Sequence, residues 1–127
     1  MKFRFPIVII DEDFRSENTS GLGIRALAQA IEVEGFEVVG VTSYGDMSQF
    51  AQQQSRASAF ILSIDDEEFS HGADLDPVVL NLRNFIDEVR RKNSDVPIYI
   101  YGETKTSRHL PNDILRELHG FIHMFED

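Results

Sequence analysis

The sequence predicts an α/β fold built on one five-stranded parallel sheet, and three observations carry that reading. Short β-branched runs alternate with longer segments whose apolar residues recur at helical spacing. The runs have few or no polar residues inside them, as strands covered on both faces do. Polar, turn-rich loops separate the segments, so each strand connects to the next through a crossover.

The elements follow in order. Phe5 to Ile10 is an uninterrupted apolar run and reads as a first strand. The loop DEDFRSENTSG comes next, and Ser20 is the expected cap of a helix to about Glu34, with Ile24, Leu27 and Ile31 on one face and Gly35 as its stop. Phe36 to Thr42 (FEVVGVT) is a second strand. YGDMSQFAQQQSR reads as a weaker helix anchored by Met47, Phe50 and Ala51. Ser58 to Ile64 is a third buried strand, followed by the acidic loop DDEEFSHGADLD. Pro77 suits a first helical turn behind Asp76 as cap, and Val78, Leu82, Phe85, Ile86 and Val89 then repeat at helical spacing. That helix ends near Arg90, Arg91 and Lys92, where cations complement the dipole. VPIYIYG is a fourth strand, DILRELHG a short helix closed by Gly120, and FIHMF a brief fifth strand. Right-handed crossovers place helices on both faces, and the flavodoxin-like order 2-1-3-4-5 accommodates five such strands. A helix expected after the fifth strand is missing, so the final helix reads as truncated and residues 1–127 as the first part of something longer.

Composition narrows the function. A chain of 127 residues is one domain and buries about two-thirds of the surface its unfolded form exposes. It has no cysteine, which excludes disulfides, thiolate zinc sites and a cysteine nucleophile. Twenty-two acidic against 12 basic side chains give a net charge of −10, which disfavours nucleic acid and anionic membranes as partners. With 42% hydrophobic residues the chain is folded, not disordered. No apolar run reaches the length of a signal-peptide core or a membrane span, so a cytoplasmic location is expected.

In a sheet of this order ligands gather at the carboxyl ends of the strands where the order reverses. The first strand ends in Asp11, Glu12 and Asp13, and the third in Ser63, Asp65, Asp66, Glu67 and Glu68. Such a cluster can hold a divalent cation, with Asp11, Glu12, Asp13 and Asp65 as candidates. Strand-end carboxylates are more often only solvated and turn-forming.

These residues resemble the receiver domain of bacterial two-component signalling. The resemblance implies an acidic pair after strand one for magnesium, a phosphate-accepting Asp ending strand three, a Thr or Ser after strand four and a Lys after strand five. The acidic pair is present. Ser63 stands at the acceptor position, with Asp65 two residues late. Thr104 lies slightly too far along, and none of the three lysines, Lys2, Lys92 and Lys105, falls in HGFIHMFED. A receiver scaffold without its phosphate chemistry is expected.

GFIHMFED, VPIYIYGE and GIRALAQAIEVEGFEVV together resemble the amino-terminal "wing" domain of the inducible bacterial ornithine/lysine/arginine decarboxylases. The resemblance covers the whole chain. It implies a parent enzyme carrying pyridoxal phosphate, used in acid resistance or polyamine supply, with a non-catalytic wing that packs on the rest of the enzyme and joins its subunits. It implies no cofactor within this domain. Some relatives bind a guanosine tetraphosphate alarmone near that contact, but no residue here matches such a site. A freestanding atypical receiver is the alternative.

Two further expectations follow. The aromatics Tyr99, Tyr101, Phe121 and Phe125, on strands four and five, are candidates for a docking surface, against the alternative that they pack internally. The acidic runs Asp11 to Asp13, Asp65 to Glu68 and Glu126–Asp127 would repel across a subunit contact at neutral pH and less near pH 5. His119 and His123 lack a third ligand, so a zinc site is not expected. GLGIRA has neither the dinucleotide glycine spacing nor a Walker lysine.

Overall fold

The computed structural model describes residues 5–11, 14–42, 57–64, 77–92, 95–102 and 110–123. Five strands, β1 (Ile7–Ile10), β2 (Val38–Val41), β3 (Ala59–Ser63), β4 (Ile98–Gly102) and β5 (Gly120–His123), form one parallel sheet. Their order is 2-1-3-4-5, as expected. The described helices are α1 (Thr19–Val33), α2 (Pro77–Lys92) and the single turn α3 (Asn112–Leu115).

Strand alternation sorts the core into two layers. Val8, Ile10, Phe60, Leu62, Ile98 and Ile100 point to one face, where they meet Val79, Leu82, Phe85, Ile86 and Val89 of α2 and Ile114 of α3. Ile9, Ile61 and Tyr101 point to the other, beneath Ile24 and Ala28 of α1. Phe60 and Phe85 meet edge to face at 5.4 Å between centroids. The expectation of strands covered on both faces holds best for β1, where Val8 and Ile9 are fully buried.

Several boundaries differ from those the sequence suggests. The first strand begins at Ile7, two residues late, because Pro6 has no N–H to give the ladder; its carbonyl still accepts from Ser58 N at 2.8 Å. Phe5 is accordingly exposed. β2, β3 and β4 are likewise shorter than their apolar runs, while β5 begins one residue earlier than expected, at Gly120. Asn18, not Ser20, caps α1: its Oδ1 accepts from Gly21 N at 2.8 Å, and its carbonyl already accepts from Leu22 N. Gly35 does stop that helix, with φ of 97°. DILRELHG does not continue to Gly120; α3 ends at Leu115. His119 N donates to Ile98 O at 2.7 Å, which draws the chain into the sheet, and Gly120 opens β5. The expected helix over residues 44–56, the cap at Asp76 and the acidic loop 65–76 lie outside the described residues.

Arg90 does more than complement a helix dipole. Its Nε donates to Glu117 Oε2 at 2.7 Å, its Nη1 to Val96 O at 2.8 Å and its Nη2 to Glu117 O at 2.9 Å. One guanidinium thus ties the end of α2 to the start of β4 and to the turn after α3. The pair Arg83–Asp113 joins the same two helices at 2.6 Å. The hydrogen bond from Arg83 holds the Asp113 carboxyl below its ordinary range, but the pair is exposed and contributes little to stability.

Candidate functional site

The carboxyl edge of the sheet brings Asp11, Ser63 and Tyr101 into one row. Ile10 pairs with Leu62, so Asp11 stands level with Ser63, and Ser63 pairs with Tyr101. Pairing continues past the ladders: Asp11 N donates to Val41 O at 2.9 Å and Ile64 N to Tyr101 O at 3.1 Å. The chain turns at once after β1, with Phe14 N donating to Asp11 O at 3.0 Å. That turn is fixed from both sides. The Phe14 ring lies where a side chain on Gly40 would stand, and Arg25 of α1 donates to the carbonyls of Phe14 and Ser16 at 2.6 and 2.7 Å.

Asp11 is buried, 6% exposed, so it is not a solvated strand-end carboxylate, and it does not belong among surface groups that would repel another subunit. Tyr101 is 7% exposed beneath α1. Its hydroxyl lies close to the helix: a first side-chain carbon at Gly23 would sit 3.4 Å from it, in contact. GLGIRA is therefore the first turns of α1 lying against a tyrosine, not a phosphate loop. Burial raises the Tyr101 phenol above its ordinary value, and the Asp11 carboxylate raises it further.

The sign of the resulting pH dependence is definite. A folded-state value raised above the ordinary one, about 10, leaves the contribution intact below that pH. Stability is lost as pH rises from there through the folded value, because the unfolded chain releases its proton first. Denaturant unfolding at stepped alkaline pH is expected to show this loss in the native chain and a smaller loss in Tyr101→Phe. Identical alkaline slopes for the two chains would remove the coupling.

The remaining candidates are scattered. Ser63, which the sequence reading sets at the receiver acceptor position, is half-buried at the end of β3. Glu12, Asp13, Asp65 and Phe125 lie outside the described residues, as do the acidic runs 65–68 and 126–127. Among the described residues no three His, Cys, Asp or Glu side chains are grouped as metal ligands would be. The three described aromatics, Tyr99, Tyr101 and Phe121, do not share one surface. Tyr99 and Tyr101 lie on the α1 side with Ile122, while Phe121 packs on the α2 side. Tyr99 is half-buried, and the His119 ring lies 6.2 Å from it. Sequence reasoning passed over Ile122 and weighed His119 only as a metal ligand; strand parity was the signal that could have placed Ile122 beside Tyr99.

Pyridoxal phosphate does not fit the described residues. A Schiff-base lysine needs a pocket and an acid facing the ring nitrogen. Lys92, the lysine among these residues, ends α2 on the surface, 4.0 Å from Glu88.

Comparison with known proteins decides the family. The family model for the Orn/Lys/Arg decarboxylase N-terminal domain matches residues 19–127. This chain belongs to that family. Lysine decarboxylase LdcA of Pseudomonas aeruginosa is 23% identical over 128 residues, covering 98% of this chain and 16% of the relative. The solved structure of lysine decarboxylase A from the same organism superposes with a TM-score of 0.80 at 22% identity, over 99% of this chain and 17% of that one. The family domain thus spans about a sixth of the relatives' length. The fold is also that of receivers. The chemotaxis protein CheY4 of Vibrio cholerae aligns with a TM-score of 0.64 at 13% identity, over 98% of this chain and 90% of that one. The receiver domain of NtrX from Brucella abortus gives 0.62 at 16%, over 95% and 87%. No helix among the described residues is long and apolar enough to cross a membrane.

Proposed function

We propose that this family domain is a non-catalytic assembly and regulatory segment at the head of a pyridoxal-phosphate-dependent decarboxylase. The substrate would be lysine, arginine or ornithine, and the setting cytoplasmic acid resistance or polyamine supply. The family match over residues 19–127 carries this reading. Ser63 at the acceptor position and the surface setting of Lys92 support it, because neither offers the chemistry of a receiver or of a decarboxylase. The partners are the rest of the enzyme and its other subunits, with Tyr99 and Ile122 on one side of β4–β5 and Phe121 on the other as the aromatic and apolar groups available for docking.

Two measurements test it. In the full natural enzyme, deleting residues 1–127 is expected to shift sedimentation toward smaller assemblies while each active site keeps decarboxylating. Decarboxylation by residues 1–127 alone, or assembly unchanged by their removal, would overturn the proposal. A small phosphodonor with magnesium is expected to leave the mass of the chain unaltered. A stable added phosphoryl group would instead favour the signalling receiver, for which the fold and the buried Asp11 are the supporting observations.

A further inference from the structure

Residues 110–123 are held differently from the centre of the sheet. The central strands are anchored by burial: Val8, Ile9 and Leu62 are fully buried, and Ala59, Phe60 and Ile61 are core residues too. Of the side chains described in 110–123, Leu110 and Ile114 are buried, Leu118, Phe121 and Ile122 are half-buried, and Leu115 is exposed. The helix of this segment, α3, is a single turn, too short to persist without tertiary support. Its strand, β5, lies at the edge of the sheet and pairs with β4 over four residues, the first a glycine.

Two arginines of α2 clasp the segment. In a chain of net charge −10, α2 is a basic element, with Arg83, Arg90, Arg91 and Lys92 against Asp87 and Glu88. Residues 110–123 carry Asp113 and Glu117 against Arg116. Arg83 donates to the Asp113 carboxylate from Nε at 2.6 Å and from Nη2 at 3.1 Å. Arg90 donates to Glu117 twice, at its side chain and at its carbonyl.

We propose that residues 110–123 form a strap that opens from the remaining sheet as one unit, with Arg83 and Arg90 as its clasps. The parts of the strap depend on one another. Glu117 N and Leu118 N donate within the turn that ends α3, and His119 N then donates to Ile98 O at 2.7 Å. The turn that Arg90 holds therefore also delivers β5 to β4. Once the clasps release, a single helical turn and an edge strand have too little burial to stay in place separately. The rest of the sheet keeps its own supports: β4 still pairs with β3, and Phe60 and Leu62 still lie in one core with Leu82 and Phe85 of α2. Opening bares the outer edge of β4 and uncovers Ile86 of α2, which lines one groove with Ile114. The strap thus sets when that edge is available for pairing. It is a motion within the domain and goes beyond the proposed function, on which it does not rest.

Residue-resolved hydrogen exchange of the native chain in low urea tests the strap. The protected amides of α3, His119 and β5 are expected to converge on one opening equilibrium. Its urea dependence is expected to be smaller than the one shared by β1 and β3. Two substitutions separate strap opening from global unfolding. Arg90→Ala removes bonds that exist only in the closed form, and is expected to speed exchange in the strap at least about thirtyfold. Exchange in β1 and β3 rises with it, since global unfolding breaks the same bonds. Ala28→Gly weakens α1 on the other face of the sheet. It is expected to speed β1 and β3 about fivefold and leave the strap unchanged, because α1 stays folded when the strap opens. Arg90→Lys is expected to speed the strap less than alanine does, and it serves the comparison if the alanine variant does not fold. Strap amides at the level and slope of β3, strap amides opening one by one, a full response of the strap to Ala28→Gly, or no acceleration by either Arg90 variant would each overturn the proposal.

Discussion

Arg90→Ala is expected to lower the unfolding free energy by about 2–3 kcal/mol, measured by denaturant titration at neutral pH. The guanidinium makes three charge-assisted hydrogen bonds, two of them to main-chain carbonyls. Such bonds are each worth about 1.5–3 kcal/mol in isolation, and the carbonyls left behind lose their partner in a part-buried setting. The sum is discounted because the Glu117 side chain is 40% exposed, so that part of the contact is screened by water. Arg90→Lys is expected to recover less than half of the loss, since one ammonium cannot reach the three acceptors that a planar fork spans. A loss below about 1 kcal/mol for the alanine variant would show that the carbonyls find water instead.

Gly40→Ala is expected to cost about 2–3 kcal/mol, although alanine normally suits a strand better than glycine does. The added carbon falls within the Phe14 ring, which must leave its place over β2. Displacing the ring exposes its apolar surface and disturbs the turn that follows Asp11, which Arg25 holds through the Phe14 carbonyl. The informative measurement is the cycle with Phe14→Ala. Once the ring is gone, Gly40→Ala is expected to be neutral or slightly stabilising, so the two substitutions fail to add. Additive losses would mean that the strand, not the ring, requires glycine.

The contrast between those two residues shows where sequence reasoning reached its limit. Both lie in segments read correctly as helix end and strand. Periodicity places Leu82, Phe85, Ile86 and Val89 inside, because a helix repeats its face every three to four residues. It says nothing of a guanidinium that reaches 27 residues along the chain to Glu117. It likewise treats Gly40 as a weak point in a strand, when the missing side chain is the space that Phe14 fills. Asp11 is the sharper case. Acids after a strand are usually wet, yet this one is buried, and the chain turns at once after it, with Phe14 N donating to its carbonyl.

The sequence by itself determined the sheet order and the helices on both faces, since both depend on the pattern of apolar runs and their spacing; the family was legible only as a resemblance of particular segments, GFIHMFED and VPIYIYGE among them. Only the tertiary structure decided which strand residues share a face at the carboxyl edge, that Tyr101 is covered while Leu22 and Val33 are not, and that Arg90 clamps three segments. Those facts arise from how elements distant in the chain are stacked. A linear pattern fixes each element's own inner face, but not what stands opposite its outer one.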